Sequence, residues 1–317
     1  MSVDISVILV NFNTGHLLEE CFDCLFRSLG SIQNQIILVD NASVDDSLSR
    51  LTGMAEKFTV IFNDTNVGFG RANNQAVPLV TGRHVLLLNT DAFVAPDTLT
   101  KTVAWMDAHP DCGVLGVRLT DRDGHLQHSC RYFPTPFNTV LVRTGLQRLF
   151  PWVKRVDDMT WDHSTVRECD WVPGCYYLIR REVLDQVGLF DPRFFLYCEE
   201  VDHCRRVKAA GWKVMFYPDT SVVHIGGESA KIAGLITASG RQISALQIES
   251  ELLYFRKHHG LTGLVFHMVL VYLGNAILAF KALLKGRGWA EISNCLRHAQ
   301  ATSRLLLSTG FAARPTR

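Results

Sequence analysis

Four short apolar runs, residues 5–10, 36–39, 60–62 and 85–88, alternate with segments of helical periodicity. That alternation constrains the fold more than any other feature of the chain. Each run is long enough for one buried strand and too short for a helix. Between the first two, Leu18, Cys21, Phe22 and Leu25 recur at helical spacing over 17–29. Ser43 is placed to cap a second helix running through Leu48 and Leu51. The glycine-bearing turn 66–70 precedes a third helix over 71–77. Strands alternating with helices imply a largely parallel sheet covered on both faces. Ligands of such sheets bind beyond the carboxyl ends of the strands. Asn11, Asp40, Asn66 and Asp91 all stand at strand ends.

Further along, a helix is predicted over 99–108 and a strand over 114–117. Residues 131–168 contain Pro134, Pro136, Pro151 and several aromatics, and read as an irregular insertion over the sheet, a common site of binding loops. Strand character returns over 171–179, a helix starts at Arg181, and strands follow over 214–218 and 221–224.

Two constellations carry chemistry. Leu86-Leu87-Leu88-Asn89-Thr90-Asp91 ends a buried strand in a carboxylate, suited to a divalent cation serving a substrate's phosphates. Glu199, Glu200 and Asp202 follow the aromatic run that contains Phe195 and Tyr197. Acids at a helix start are stabilised by its dipole and by arginines that follow, which is an ordinary structural arrangement. Burial beside the aromatic residues would instead raise one carboxyl toward the range of a general base. His224 ends a strand just before Gly226-Gly227-Glu228-Ser229, a run suited to a loop that orders over substrate. A neutral imidazole there could share a manganese-type cation with Asp91.

Composition excludes several classes. Hydrophobic residues make up 47% of 317, enough for a sizeable core. With 32 Lys+Arg against 31 Asp+Glu, bulk charge does not point to nucleic acid. The nine cysteines are scattered, as in a reducing compartment. Cys21-x-x-Cys24 has no second pair and lies on a predicted helix, so it reads as structural. Residues 1–5 lack a basic leader region, so the catalytic part is expected in the cytoplasm. No Gly-x-Gly-x-x-Gly follows the first strand, which disfavours a dinucleotide-binding dehydrogenase.

Near the C-terminus a helix is expected to end at Gly260. Residues 261–280 are then almost continuously apolar, broken mainly by Thr262, His267 and Asn275, with Lys281, Lys285, Arg287, Arg297 and Arg304 beyond. The length would suffice to cross a bilayer. An interfacial helix against an anionic leaflet fits the flanking charges better. The competing reading is a helical hairpin packed on the catalytic domain or on the second subunit of a homodimer. The tail, 312–317, is expected to be disordered.

Taken in order, several segments resemble the inverting family 2 glycosyltransferases of the GT-A fold, particularly the rhamnosyltransferase-like branch. They are Val7-Ile8-Leu9-Val10-Asn11-Phe12-Asn13, Val39-Asp40-Asn41-Ala42-Ser43, Asn66-Val67-Gly68-Phe69-Gly70-Arg71-Ala72-Asn73 and Leu87-Leu88-Asn89-Thr90-Asp91. The set continues with Gly174-Cys175-Tyr176-Tyr177-Leu178-Ile179-Arg180-Arg181, residues 195–206 and residues 224–229. The resemblance spans about residues 4–230. It implies an α/β GT-A architecture, Rossmann-like, with a mostly parallel central sheet flanked by helices and a C-terminal helical appendage. The catalytic domain would occupy 1–245, with a nucleotide-sugar half at 1–118 and an acceptor half at 119–245. Residues 246–317 would form the helical, membrane-associating region.

The same resemblance implies nucleotide-sugar contacts from Asn11, Asn13, Asp40, Asn41, Asn66, Gly68, Arg71, Asn89, Thr90 and Asp91. Trp171, Gly174, Cys175 and Tyr197 would shape the sugar and acceptor pocket. Asp91 and His224 would ligate Mg²⁺ or Mn²⁺, with Asn89 replacing the first aspartate of the family's D-x-D. Glu199-Glu200 stands where the family shows Glu-Asp, so Glu200 is the leading catalytic base, ahead of Glu199 and Asp202. The implied activity is inverting transfer of L-rhamnose from dTDP-rhamnose to a glycan or polyprenyl-diphosphate-linked acceptor in cell-surface polysaccharide synthesis. It would take place at the cytoplasmic face of the inner membrane. A UDP-hexose or UDP-N-acetylhexosamine donor keeps the same fold. A non-catalytic nucleotide-sugar-binding protein would have no need of the retained acids and His224.

Overall fold

The computed structural model describes residues 3–47, 49–157, 161–226, 245–286 and 288–317. In chain order its elements are β1 (Ile5–Asn11), α1 (Gly15–Leu29), β2 (Asn34–Asp40), β3 (Thr59–Phe62), α2 (Phe69–Ala76), β4 (His84–Asn89) and β5 (Ala92–Val94). Then come α3 (Thr98–Ala108), β6 (Cys112–Thr120), α4 (Pro136–Thr144), β7 (Arg167–Glu168), β8 (Tyr176–Arg180) and α5 (Arg181–Val187). The last are α6 (Glu199–Ala209), β9 (Lys213–His224), α7 (Ala245–Leu284) and α8 (Trp289–Ser308). They divide into two compact units. One is Met1–Arg131, Met159–Pro192 and Glu199–Gly234; the other is Tyr132–Asp158, Arg193–Cys198 and Leu235–Arg317.

The first unit is built on one sheet with strand order β3-β2-β1-β4-β8-β6-β9-β5, and β7 pairs with β9. Strands β1 to β4 are parallel, as the strand–helix alternation requires. Past β4 the sheet is mixed: β8 runs antiparallel to both β4 and β6, while β6 is parallel to β9. The inner strands have water on neither face, which is why they are unbroken apolar runs rather than alternating ones. Ile5, Val7, Ile8 and Leu9 of β1 are fully buried, as are Val85 and Leu86 of β4. Helix α1 covers one face with Leu18, Cys21, Phe22 and Leu25, all fully buried. Burying side chains of this size contributes about 1.5–3 kcal/mol each. The Cys21 thiol lies 3.7 Å from the Asn89 carbonyl and 3.6 Å from that of Ala92, so it is a packing residue.

Several expectations need correction. The helix expected from Ser43 through Leu51 does not form as such. Leu48 lies outside the described residues, Ser49–Lys57 is 3-10 helical, and Ser43 is engaged elsewhere. Its Oγ accepts from Asn11 Nδ2 at 2.8 Å and from the Asn13 amide at 3.1 Å. Within 131–168 lies a regular helix, α4. Thr135 and Asn138 close a reciprocal capping box at 3.1 and 2.8 Å, and Pro136 occupies the first turn. Proline there pre-sets the helical φ and sacrifices no bond, so its helix-breaking reputation misleads. The strand expected over 171–179 is confined to β8, and β5 was not foreseen. Residues 227–229 of the glycine-rich run lie outside the described residues.

In the second unit α7 is interrupted at Gly260, whose φ of 67° suits glycine. That matches the expected break. Contacts of α7 with α8 run antiparallel: Tyr272 Oη meets Ser303 Oγ at 2.8 Å, and Asn275 Nδ2 meets His298 Nδ1 at 3.2 Å. The tail is not disordered. Thr316 donates to Glu249 through its amide at 2.6 Å and its hydroxyl at 2.7 Å, and Ala312 is buried.

Candidate active site

The parallel half of the sheet brings its carboxyl ends together in register. Asn11 of β1 lies opposite Asp40 of β2. Asn11 is fully buried, and its Nδ2 donates to Asp40 Oδ1 and to Ser43 Oγ, both at 2.8 Å. Its Oδ1 accepts from the Thr14 hydroxyl at 2.7 Å, and Thr14 Oγ1 lies 2.7 Å from Thr90 Oγ1. Thr14 has one proton, already given to Asn11, so Thr90 donates to Thr14. A single hydrogen-bonded chain therefore runs Thr90–Thr14–Asn11–Asp40 across three strand ends. Asn13 has φ 55° and accepts from the Val44 amide through Oδ1 at 2.8 Å.

A second network builds the next turn. Asn41 Nδ2 donates to Asn66 Oδ1 at 2.8 Å, and that oxygen also accepts from the Gly68 amide at 2.9 Å. Asn41 Oδ1 takes the Val67 amide at 3.0 Å and Asn63 Nδ2 at 3.1 Å. Gly68 has φ 92°, which excludes most side chains. Arg71 Nε donates to the Pro192 carbonyl at 2.8 Å, fixing the turn ahead of the acidic run.

At the end of β4, Asp91 is 7% exposed and faces His224 of β9, with Nε2 to Oδ1 at 3.6 Å. The pairing of Ala92 with His224 across β5 and β9 sets this approach. Gln127 fixes the imidazole. Its Nε2 donates to the His224 carbonyl at 2.8 Å, which turns its Oε1 toward His224 Nδ1 at 3.2 Å. Burial lowers the His224 pKa, against an opposing pull from Asp91, so the ring is neutral. Its proton is then on Nδ1, facing the Gln127 oxygen, and the Nε2 lone pair faces the Asp91 carboxylate. Two electron pairs opposed in this way could be shared by a cation. A carboxylate oxygen and an imidazole nitrogen suit Mg²⁺ or Mn²⁺. Asn89 Oδ1, two residues before Asp91, is buried without a hydrogen-bond partner among the described residues.

The acidic run opens α6 at the positive end of its dipole. Glu199 Oε2 and Glu200 Oε2 are buried with no hydrogen-bond partner among the described residues. Burial pushes both carboxyls up, Glu199 well above the ordinary 4.5 with Glu200 adding to the effect. For Glu200, backbone amides and Arg131 pull the other way. Asp202 is different. Its side chain is fully buried and paired with Arg206 Nε at 2.9 Å, and Arg206 also donates to the Val187 carbonyl at 2.5 Å and to that of Leu189. This pair anchors α6 to the turn after α5.

His203 has a structural post, donating from Nε2 to the Gly188 carbonyl at 3.0 Å and accepting from Tyr177 at Nδ1 at 2.8 Å. Burial, with Arg206 adding to it, holds its pKa down at about 3. Trp171 is 5% exposed, with the Arg131 guanidinium 4.2 Å from its ring centroid. Cys175 is buried, and its carbonyl accepts from the Asn89 amide at 3.0 Å. Burial first, then Asp91 and Glu200, push its thiol pKa up, so both acids act on one sulfur. A Cβ at Gly174 would meet Phe69 at 3.7 Å, an ordinary contact. Tyr197 belongs to the second unit and has φ 71°, followed by Cys198 with φ 67°. Sequence reasoning missed Gln127, Thr14, Asn63 and Arg131. Their roles follow from pairing across the fold, and no local spacing marks them.

Residues 6–188 match the Glycosyl transferase family 2. The N-acetylglucosaminyl-diphospho-decaprenol L-rhamnosyltransferase of Mycobacterium tuberculosis is 26% identical over 237 residues, covering 69% of this chain and 75% of the relative. The rhamnosyltransferase WbbL of Escherichia coli is 25% identical over 166 residues, covering 50% of this chain and 60% of the relative. Among solved structures, the mannosyltransferase PcManGT from Pyrobaculum calidifontis, in complex with GDP-Man and Mn²⁺, superposes with a TM-score of 0.56 at 17% identity. That match covers 99% of this chain and 89% of the other. TarS from S. aureus in complex with UDP gives 0.52 at 15% identity, covering 95% and 92%. These likenesses establish the GT-A fold. With the family match spanning more than half of its length, the chain belongs to glycosyl transferase family 2.

Proposed function

We propose that this glycosyltransferase is inverting and metal-dependent, moving L-rhamnose from dTDP-rhamnose to a glycan or polyprenyl-diphosphate-linked acceptor. The observation that carries the reading is the facing pair of Asp91 Oδ1 and His224 Nε2, 3.6 Å apart at one strand end. Asp91 and His224 would hold Mg²⁺ or Mn²⁺, which when bound offsets charge gathering on a diphosphate leaving group. Asn11, Asn13, Asp40, Asn41, Asn66, Gly68 and Arg71, with Asn89 and Thr90, form the nucleotide-sugar side within 1–118. The acceptor side, within 119–245, includes Trp171, Gly174 and Cys175.

Glu200 takes the proton of an acceptor hydroxyl. That oxygen forms its bond to the anomeric carbon as the bond to the nucleoside diphosphate breaks on the opposite face, so one displacement inverts the centre. Glu200 is favoured over Glu199 because Arg131 and backbone amides support its charge. Asp202 is already committed to Arg206. The names of the M. tuberculosis and E. coli relatives support rhamnose as the sugar, and the former supports a lipid-diphosphate acceptor. With such an acceptor the work would be done at the cytoplasmic face of the inner membrane, with peripheral contact through 246–317.

Calorimetric titration of dTDP- and UDP-sugars with Mn²⁺ tests the donor. Binding of dTDP-rhamnose at least tenfold tighter than that of any UDP-sugar is expected. A preference for UDP-glucose or UDP-N-acetylglucosamine would transfer the assignment to those donors, and binding without turnover would make the chain a non-catalytic binder.

A further inference from the structure

The second half of α7 is inside out. Its exposed positions are Leu261 (49%), Val265 (54%), Val269 (56%), Leu273 (51%), Phe280 (60%) and Leu284 (72%), with further apolar residues between them. At 100° per residue they fall within an arc of about 140°. The opposite arc is buried and carries His267 (3%) and Asn275 (5%), while the outward arc has Thr262 among its apolar residues. A helix packed on a water-soluble core has the reverse arrangement.

The buried face is bound by specific polar contacts. Arg143 of α4 donates to Asn275 Oδ1 at 2.6 Å and to His298 Nε2 at 3.0 Å, and Lys281 Nζ donates to the Thr144 carbonyl at 2.8 Å. At Gly274 the helices approach so closely that a Cβ would lie 2.8 Å from Val140 Cγ2. The inward face is therefore closed, and the outward apolar face has no partner among the described residues.

Charge selects the occupant. Residues 261–317 hold seven of the chain's 32 lysines and arginines and one of its 31 acids, so this segment carries +6 and residues 1–260 carry −5. Two copies meeting through this face would bring +6 against +6. An anionic lipid surface gains about 1 kcal/mol for each lysine or arginine held near it. Although α7 is long and apolar enough to cross a membrane, its partner α8 exposes Arg297 and Arg304. Drawing those through hydrocarbon would cost about 2.5–3.5 kcal/mol each.

We propose that the outward face of residues 261–284 beds in the plane of an anionic phospholipid leaflet, without crossing it. This deepens the membrane contact proposed above. It is read by binding alone, so failure of the catalytic assignment would leave it standing. The test is flotation of the full-length protein with phosphatidylcholine vesicles, with and without one-quarter phosphatidylglycerol. The protein is expected to float with the anionic vesicles and to be released by alkaline carbonate. The double variant V269E/L273E should lose at least tenfold in binding while keeping its donor affinity, and the milder V269S/L273S should fall between. Retention after carbonate would overturn the in-plane placement. Unchanged flotation of both variants would overturn the surface. A vesicle-independent dimer abolished by V269E/L273E would show that the face is a subunit contact instead.

Discussion

Gln127 and His224 share two hydrogen bonds: Gln127 Nε2 donates to the His224 backbone carbonyl at 2.8 Å, and the imidazole Nδ1 lies 3.2 Å from Gln127 Oε1. The pair fixes both the orientation of the ring and its tautomer, and so decides that Nε2 presents a lone pair to Asp91. Supporting bonds of this kind are worth about 10–100-fold in metal affinity.

Gln127→Leu should accordingly weaken Mn²⁺-supported binding of nucleotide sugar by at least tenfold, while metal-free binding of the nucleotide changes little. Asp91→Ala should do the same more severely. Calorimetry with and without Mn²⁺ measures both. Equal affinities in the wild type and in Asp91→Ala would remove the metal from this position.

The acids of α6 separate into two roles. Glu200→Gln should lower kcat by about 100-fold or more, as loss of a general base does, with donor Kd within about twofold. In the wild type, turnover should fall as pH drops through the Glu200 pKa, which burial sets above 4.5. Asp202→Asn removes one half of a buried ion pair and should instead cost about 3–5 kcal/mol of stability. Chemical denaturation and steady-state kinetics on the two variants distinguish the roles.

Glu199 yields a prediction in stability alone. Its folded-state pKa is raised, by burial first and then by Glu200, so the folded chain holds a proton that the unfolded chain has released. Stability is full below the unfolded value of about 4.5 and declines as pH rises from there toward the folded value. Glu199→Gln removes this decline. Its melting temperature should equal that of the wild type near pH 4.5 and exceed it increasingly toward pH 8. Parallel curves across that range would show that Glu199 does not titrate as its burial requires.

Strands β1, β2 and β4 were legible because their apolar runs are buried on both faces, so period and length agree. Strand β3, by contrast, is an edge strand with Phe62 exposed, and was read from its apolar residues alone. Strand ends at Asn11, Asp40 and Asp91 followed from the same pattern. The antiparallel insertion of β8 between β4 and β6 was not legible, since an apolar run such as Tyr176-Tyr177-Leu178-Ile179 does not encode its direction. Helix α4 was hidden by the prolines around it, although Thr135-Pro136-Phe137-Asn138 is a capping sequence. The tail read as disordered because nothing local shows that Thr316 meets Glu249, 67 residues away. Gln127 was invisible for a similar reason, because its partner lies 97 residues further along the chain.

The chain Thr90–Thr14–Asn11–Asp40 ties the strand end proposed to hold the metal to the one proposed to hold the nucleotide, and Thr14 within it can be replaced almost isosterically. Thr14 is 1% exposed, so Thr14→Val keeps the volume but takes away the proton received by Asn11 Oδ1 and the acceptor used by Thr90. Leaving a buried acceptor unmet costs about 1–3 kcal/mol, and the loss should appear in urea denaturation as a lower midpoint at unchanged slope. Asn11 would then lose one of the bonds that fix its amide, and with it the direction from which Nδ2 supports the Asp40 carboxylate at 2.8 Å. Donor affinity should therefore fall by about threefold to tenfold even though Thr14 itself is buried. A stability loss with no change in donor Kd would mean that the chain holds the sheet together without orienting Asp40 for a ligand.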